Sequence, residues 1–207
     1  MHPYFFVYKS IGITWFTVLS LMGILGGYFI TKNLGKEYVS DAKKLEDVFV
    51  IILIIGFVGA RLTYVFFHRH IYEDNLLYML KLSHMNLSLT GGLFFGMGTI
   101  FVMAKKYKIS FYQLFNAYVV PFYFAMAMGV WSMFFDGVLI GKEYEGFLSI
   151  YYMGNQRHPI TLYLSGLFLV GILIESIAFK TALNQYISYI AFILMILLYY
   201  WIKVAFS

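Results

Sequence analysis

Six apolar stretches of about 17–25 residues, the length a bilayer demands, leave this chain few ways to fold. They run Ile11–Ile30, Val48–Phe67, Leu87–Ala104, Phe111–Phe135, Ile160–Phe179 and Tyr186–Ile202. Inside lipid a backbone must satisfy its own hydrogen bonds, so each stretch is expected as a helix. Composition agrees: 61% of the 207 residues are hydrophobic and 12% charged, against about 25% charged in soluble domains. The expected fold is an all-α polytopic bundle, one membrane domain over residues 1–207.

The first stretch is longer than the core of a signal peptide, and Thr31-Lys32-Asn33 follows it rather than a small-residue cleavage site. It therefore reads as a retained helix. Before it, MHPYFFVYKS (residues 1–10) is aromatic and too short to span. It reads as an interfacial arm, with Pro3 arguing against regular structure at its start. The absence of cysteine excludes disulfides, thiolate metal sites and a cysteine nucleophile. The net charge of +5 comes from scattered lysines. That pattern fits cytoplasmic loops and anionic lipid, not nucleic acid.

Counting Lys and Arg by side gives eight on the face holding Thr31–Glu46, the Lys105-Lys106-Lys108 turn and Lys180, against six on the other, with Arg61 inside a helix. The richer side is expected in the cytoplasm. The termini and the outer loop, residues 136–159, then face outward.

That loop gathers the residues able to do chemistry. Arg157-His158-Pro159 opens the fifth helix, with Pro159 near a position where a missing N–H costs nothing. Cations at a helix N-terminus are unfavourable unless an anion accompanies them. Either a phosphate or carboxylate ligand binds there, or Arg157 is a solvated loop cation beside a cap. His158 is a candidate acid or base, and so is His84 before the third helix. His68 and His70 flank Arg69 as an interfacial patch. Histidine spacing does not support a metal site, and no cofactor is expected. Asp136, Glu143 and Glu145 are the outer carboxylates, able to pair with Arg157 or Lys142.

Two charges lie deep in apolar sequence. Arg61 must face a polar cavity or partner, or snorkel to headgroups. Glu175 is a candidate partner for it. Gly91-Gly92 and Gly96, with a GxxxG spacing from Gly92 to Gly96, form either a packing face or a ligand cradle. Pro121 is expected to kink the fourth helix.

TWFTVLSLMGILGGYFI, GARLTYVFF, LTGGLFFG, the DGxxxG of Asp136–Gly141 and RHPITLY occur in one order over about residues 11–203. In this the chain resembles the bacterial prolipoprotein diacylglyceryl transferases. The resemblance implies a multi-pass enzyme of the bacterial plasma membrane, working at the outer face. It would move diacylglycerol from phosphatidylglycerol to the lipobox cysteine of a prolipoprotein. Carried over residue by residue, it implies His158 and Arg157 as catalytic candidates, beside His84, which stands only on its place before the third helix. It likewise implies Arg61, Tyr64, Gly91, Gly92, Gly137, Gly141 and Tyr163 as candidates for lipid and substrate binding, and Asp136 and Glu143 join them as carboxylates of the loop.

The chain also departs from the family pattern. Val130, Met133 and Val138 stand where the family's signature has arginine, asparagine and glutamate. Thr90 replaces a histidine, Leu164 a glutamate, and Tyr199 and Lys203 an arginine and a glutamate. A seventh helix has no counterpart before Ser207. The chain is thus expected to be a divergent, shortened relative. Two rival readings remain: a non-catalytic lipid- or lipoprotein-binding protein or subunit of a membrane complex, and a small transporter motivated by Arg61 and Glu175.

Overall fold

The structure is a computed structural model that describes residues 3–9, 11–73, 79, 86–179 and 184–207. Among these residues six α-helices follow the six apolar stretches: α1 (Trp15–Leu34), α2 (Ala42–Phe67), α3 (Leu89–Tyr107), α4 (Phe111–Phe135), α5 (Ile160–Ala178) and α6 (Asn184–Phe206). All but α3 are long and apolar enough to cross a membrane. The chain is an all-α, multi-pass membrane protein, as its hydropathy pattern requires.

Two small hairpins were not expected. Strands β1 (Tyr4–Tyr8) and β2 (Ile11–Thr14) pair antiparallel ahead of α1, with Tyr8 opposite Ile11. Pro3 therefore precedes a regular strand instead of preventing one. The first helix begins four residues later than hydropathy suggests, because apolarity alone does not distinguish a strand from a helix. Strands β3 (Ile150–Tyr152) and β4 (Asn155–Arg157) pair inside the loop of residues 136–159.

The chain forms two compact units. One contains residues 31–117. Here the Asp41 carboxylate caps α2 by accepting from the Lys44 main-chain N–H at 3.2 Å. That bond, above all, holds the carboxyl below its ordinary pKa, with the Lys44 side chain adding to it. Ser88 caps α3 by accepting from the Gly91 N–H. Lys108, in the left-handed conformation at φ 56°, ends it by returning its N–H to Ala104 and Lys105. Lys105 and Lys106 in the last turn complement the helix dipole.

Helices α2 and α3 approach closely through their small residues. A Cβ on Gly92 would lie 3.5 Å from the Ala60 Cβ, whereas one on Gly91 would collide with Thr63. The Gly92–Gly96 spacing thus lies in a helix seam.

The other unit contains residues 1–30 and 118–207. Its core is aromatic: Tyr123 packs against Phe168 and Phe192, and Phe168 against Tyr199. Gly171 lets the Tyr123 ring approach α5, since a Cβ there would lie 3.0 Å from the ring. Ser165 accepts from the Trp131 indole N–H and donates to the Ala127 carbonyl, joining α4 to α5. Pro121 sits within α4, which runs on through it. Trp15, at the start of α1, stacks on Phe135, at the end of α4, with centroids 4.3 Å apart and planes at 15°.

Candidate functional site

The polar chemistry of the second unit gathers where the loop of residues 136–159 meets α5 and the end of α6. Pro159 caps α5 without a side-chain bond, and Ile160 and Tyr163 return their N–H groups to His158 and Pro159 carbonyls. Arg157 and His158 stand immediately before this helix start. The loop reaches them by backbone pairing. The Lys142 carbonyl accepts from the His158 N–H at 3.0 Å, and Tyr144 N–H donates to the Gln156 carbonyl at 2.9 Å. Gly141 permits this pairing, since a Cβ there would stand 2.6 Å from the His158 Cβ.

Three aromatic rings surround the half-buried His158 imidazole. Tyr144 stacks on it at 3.9 Å and 13°, and Phe206 meets it edge-on at 4.8 Å and 64°. The Tyr163 hydroxyl lies 3.2 Å from Nδ1. When Nδ1 carries the proton and donates to Tyr163, the lone pair sits on Nε2, as a general base requires. The other tautomer makes Nε2–H a hydrogen-bond donor, and only the imidazolium could act as an acid. Phe206 is held in place by the loop: its carbonyl accepts from the Lys142 N–H at 2.8 Å, and Lys142 Nζ donates to the Ala205 carbonyl.

Arg157 has only part of its guanidinium engaged. Nη1 donates to the Gly141 carbonyl at 3.2 Å, and Nη2 lies 3.7 Å from Glu143 Oε1. Glu143 also accepts from Asn155 and is largely exposed. Nε is buried and, among the described residues, has no hydrogen-bond partner. Glu143 is thus the anion that accompanies the cations at this helix start, and the guanidinium retains a donor. Asp136 and Gly137 close α4, Gly137 at φ 70°, where a Cβ would stand 3.2 Å from the Tyr152 hydroxyl.

Arg61, Tyr64, Gly91 and Gly92 belong to the first unit. Arg61 is buried and grips main chain: Nε and Nη2 donate to the Met79 carbonyl at 3.2 and 3.1 Å, and Nη1 to the Asn86 carbonyl at 3.0 Å. Tyr64 stacks on His68 at 4.1 Å, and the His68 N–H closes α2 onto the Tyr64 carbonyl. His84 lies outside the described residues, as do Lys81 and Lys180. Glu175, in the second unit, is buried and accepts from Ser188. Its other oxygen and the Tyr123 hydroxyl have no partner among the described residues. Arg61 and Glu175 each satisfy part of their polar surface within their own unit.

Sequence reasoning did not find Tyr144 or Phe206. Phe206 lies 48 residues from His158, and Tyr144 is brought to it by the backbone pairing of the loop, which the side-chain pattern does not mark. Val130, Leu164 and Tyr199, three positions at which the resemblance implies charged family residues, are buried. A charge there would be stranded in this core.

A family model of prolipoprotein diacylglyceryl transferase matches residues 3–205. The phosphatidylglycerol--prolipoprotein diacylglyceryl transferase of Clostridium novyi is 30% identical over 173 residues, which is 79% of this chain and 67% of that protein. The enzyme of the same name from Clostridium kluyveri is 27% identical over 174 residues, covering 79% and 68%. One from Deinococcus radiodurans is 35% identical over 118 residues, covering 55% and 35%. These relatives are named as transferases, in accord with the expectation of an enzyme of that type. With its membrane helices, its RHP-led fifth helix and a family match along almost its whole length, the chain belongs to the prolipoprotein diacylglyceryl transferase family.

Proposed function

We propose that this protein is a lipoprotein-modifying transferase of the bacterial plasma membrane, working at the outer face on phosphatidylglycerol and a prolipoprotein lipobox segment. The observation that carries this reading is the pairing of an aromatic-caged imidazole with a partly engaged guanidinium at the start of α5. His158 Nε2 takes the proton from the acceptor cysteine thiol. The thiolate attacks the glyceryl carbon bonded to the phosphate oxygen, so that a C–S bond forms as the C–O bond breaks. Glycerol phosphate departs with the electron pair, and Arg157 together with the α5 N-terminus offsets its developing charge. Tyr163 orients the ring through Nδ1. Glu143 holds Arg157 toward the loop until substrate phosphate competes for it.

A specific observation favours a second reading, a lipid- or lipoprotein-binding protein without turnover. Val130 and Tyr199, which the resemblance sets against arginines of the family, are buried core residues.

The test is mass spectrometry of a lipobox peptide incubated with the full chain in phosphatidylglycerol nanodiscs. A diacylglyceryl adduct should form with the unaltered protein and fall about a hundred- to ten-thousand-fold in His158→Ala. Arg157→Gln should lose turnover while keeping the fold. Lipid or peptide binding with no adduct from the unaltered protein establishes the second reading.

A further inference from the structure

The outer loop has an uncharged tip. Residues 146–154, GFLSIYYMG, contain no ionisable acid or base other than tyrosine, although Glu143, Glu145 and Arg157 flank them. Their large side chains point away from the protein: Phe147 is 89% exposed, Met153 82% and Tyr151 76%, with Leu148 also exposed. Tyr152, on the opposite face of β3, turns inward toward Gly137. The hairpin therefore has one face toward the protein and one apolar face without protein cover among the described residues.

Backbone geometry makes the choice of residues more telling. Met153 and Gly154 connect β3 to β4 with φ of 48° and 90°, a turn in which both central residues are left-handed. Such a turn favours Asn-Gly or Asp-Gly. Leu148 is left-handed as well, at φ 72°. At both positions an asparagine would suit the backbone and water better, yet both hold apolar side chains.

The occupant of that face follows from the connections. The loop leaves α4 at Phe135 and returns at Ile160, the ends of two membrane-length helices. The Lys142–Phe206 bond ties it to the last turn of α6, where Trp201 and Val204 are exposed on a membrane-length helix. The Trp15–Phe135 stack brings the β1–β2 hairpin, with Tyr4–Tyr8 all exposed, to the same end of the unit. We propose that the tip, residues 147–153, is a wedge that enters the headgroup–acyl boundary of the leaflet next to His158, with Phe147, Leu148, Tyr151 and Met153 in lipid. Tyrosine suits this depth, because its ring is apolar and its hydroxyl remains wet. The wedge fixes the depth of the α5 N-terminus relative to the headgroups, whatever reaction occurs there.

The cysteine-free chain allows a clean test, since one introduced thiol is the only labelling site. Full-length Phe147→Cys, Met153→Cys and Asn155→Cys would each carry a nitroxide in nanodiscs of phosphatidylglycerol and phosphatidylcholine. Power saturation would compare collisions with oxygen and with a water-soluble nickel chelate. Labels at 147 and 153 should favour oxygen several-fold, and the label at 155 should favour nickel. Adding Met153→Asn to Phe147→Cys should shift the 147 label toward nickel; an unchanged ratio would overturn a shared wedge. Nickel accessibility at 147 and 153 equal to that at 155 overturns the proposal in favour of a water-facing loop. Spin–spin broadening that disappears on dilution with unlabelled protein overturns it in favour of a second copy.

Discussion

The Tyr144 ring lies nearly flat on the His158 imidazole, 3.9 Å away and 13° from parallel, and so joins the loop's first pairing segment to the residue that precedes the α5 cap, Pro159. A stack of this kind contributes about 0.5–1.5 kcal/mol beyond area burial. Removing it with Tyr144→Leu should lower transferase turnover about two- to ten-fold, the rate equivalent of that energy. Tyr144→Phe should retain nearly all of it. Single-turnover kinetics on a lipobox peptide would check this, and a Tyr144→Phe loss as large as that of Tyr144→Leu would mean that the hydroxyl, not the stack, matters.

Arg61 donates to two main-chain carbonyls, so its replacement should be read first as a loss of stability. Arg61→Leu strands the Met79 and Asn86 carbonyls at about 1–3 kcal/mol each. Its melting temperature in detergent should fall clearly, with Arg61→Lys in between. If Arg61→Leu melts like the unaltered protein while turnover is lost, Arg61 contacts substrate and is not a loop fastener.

The glycines of α3 should separate into two classes. Gly91→Ala drives a methyl into Thr63 and should cost about 1–3 kcal/mol, as overpacking does. Gly98→Ala meets nothing within 4 Å and should be neutral or gain up to about 1 kcal/mol of helix propensity. Thermal unfolding of the two variants side by side decides the matter; equal losses would refute the α2–α3 seam.

Asp41 supplies a pH dependence whose sign is fixed. Its carboxyl is held below the ordinary value chiefly by the Lys44 main-chain N–H. Its contribution is complete above about pH 4 and is lost as pH falls through the lowered folded-state value. Asp41→Asn, which can still cap α2, should therefore flatten the acid side of a melting-temperature profile below about pH 4. Parallel acid limbs for the two proteins would remove this role.

The helical plan was legible because lipid permits so little else: α4 covers Phe111–Phe135, the span hydropathy marks. Strand β2 was not, because Ile11–Thr14 joins the next apolar run without a polar break. Glu143 was readable as one of a few candidate partners for Arg157, since opposite charges in one short loop have few alternatives. The partners of Arg61 were not, because main-chain carbonyls carry no mark in the side-chain pattern. Two of the three rings around His158, Tyr144 and Phe206, were hidden for a related reason. Phe206 reaches it only through the folding of α6 against the loop, and no local periodicity records that approach.

The bond from Lys142 to the Phe206 carbonyl turns the last turn of α6 into a lever on the imidazole. Unwinding that turn by one or two residues would withdraw a wall of the cage and slacken the strand pairing that positions Arg157. A neighbouring membrane protein that grips or bends α6 would thereby shift the rings around His158 without touching it.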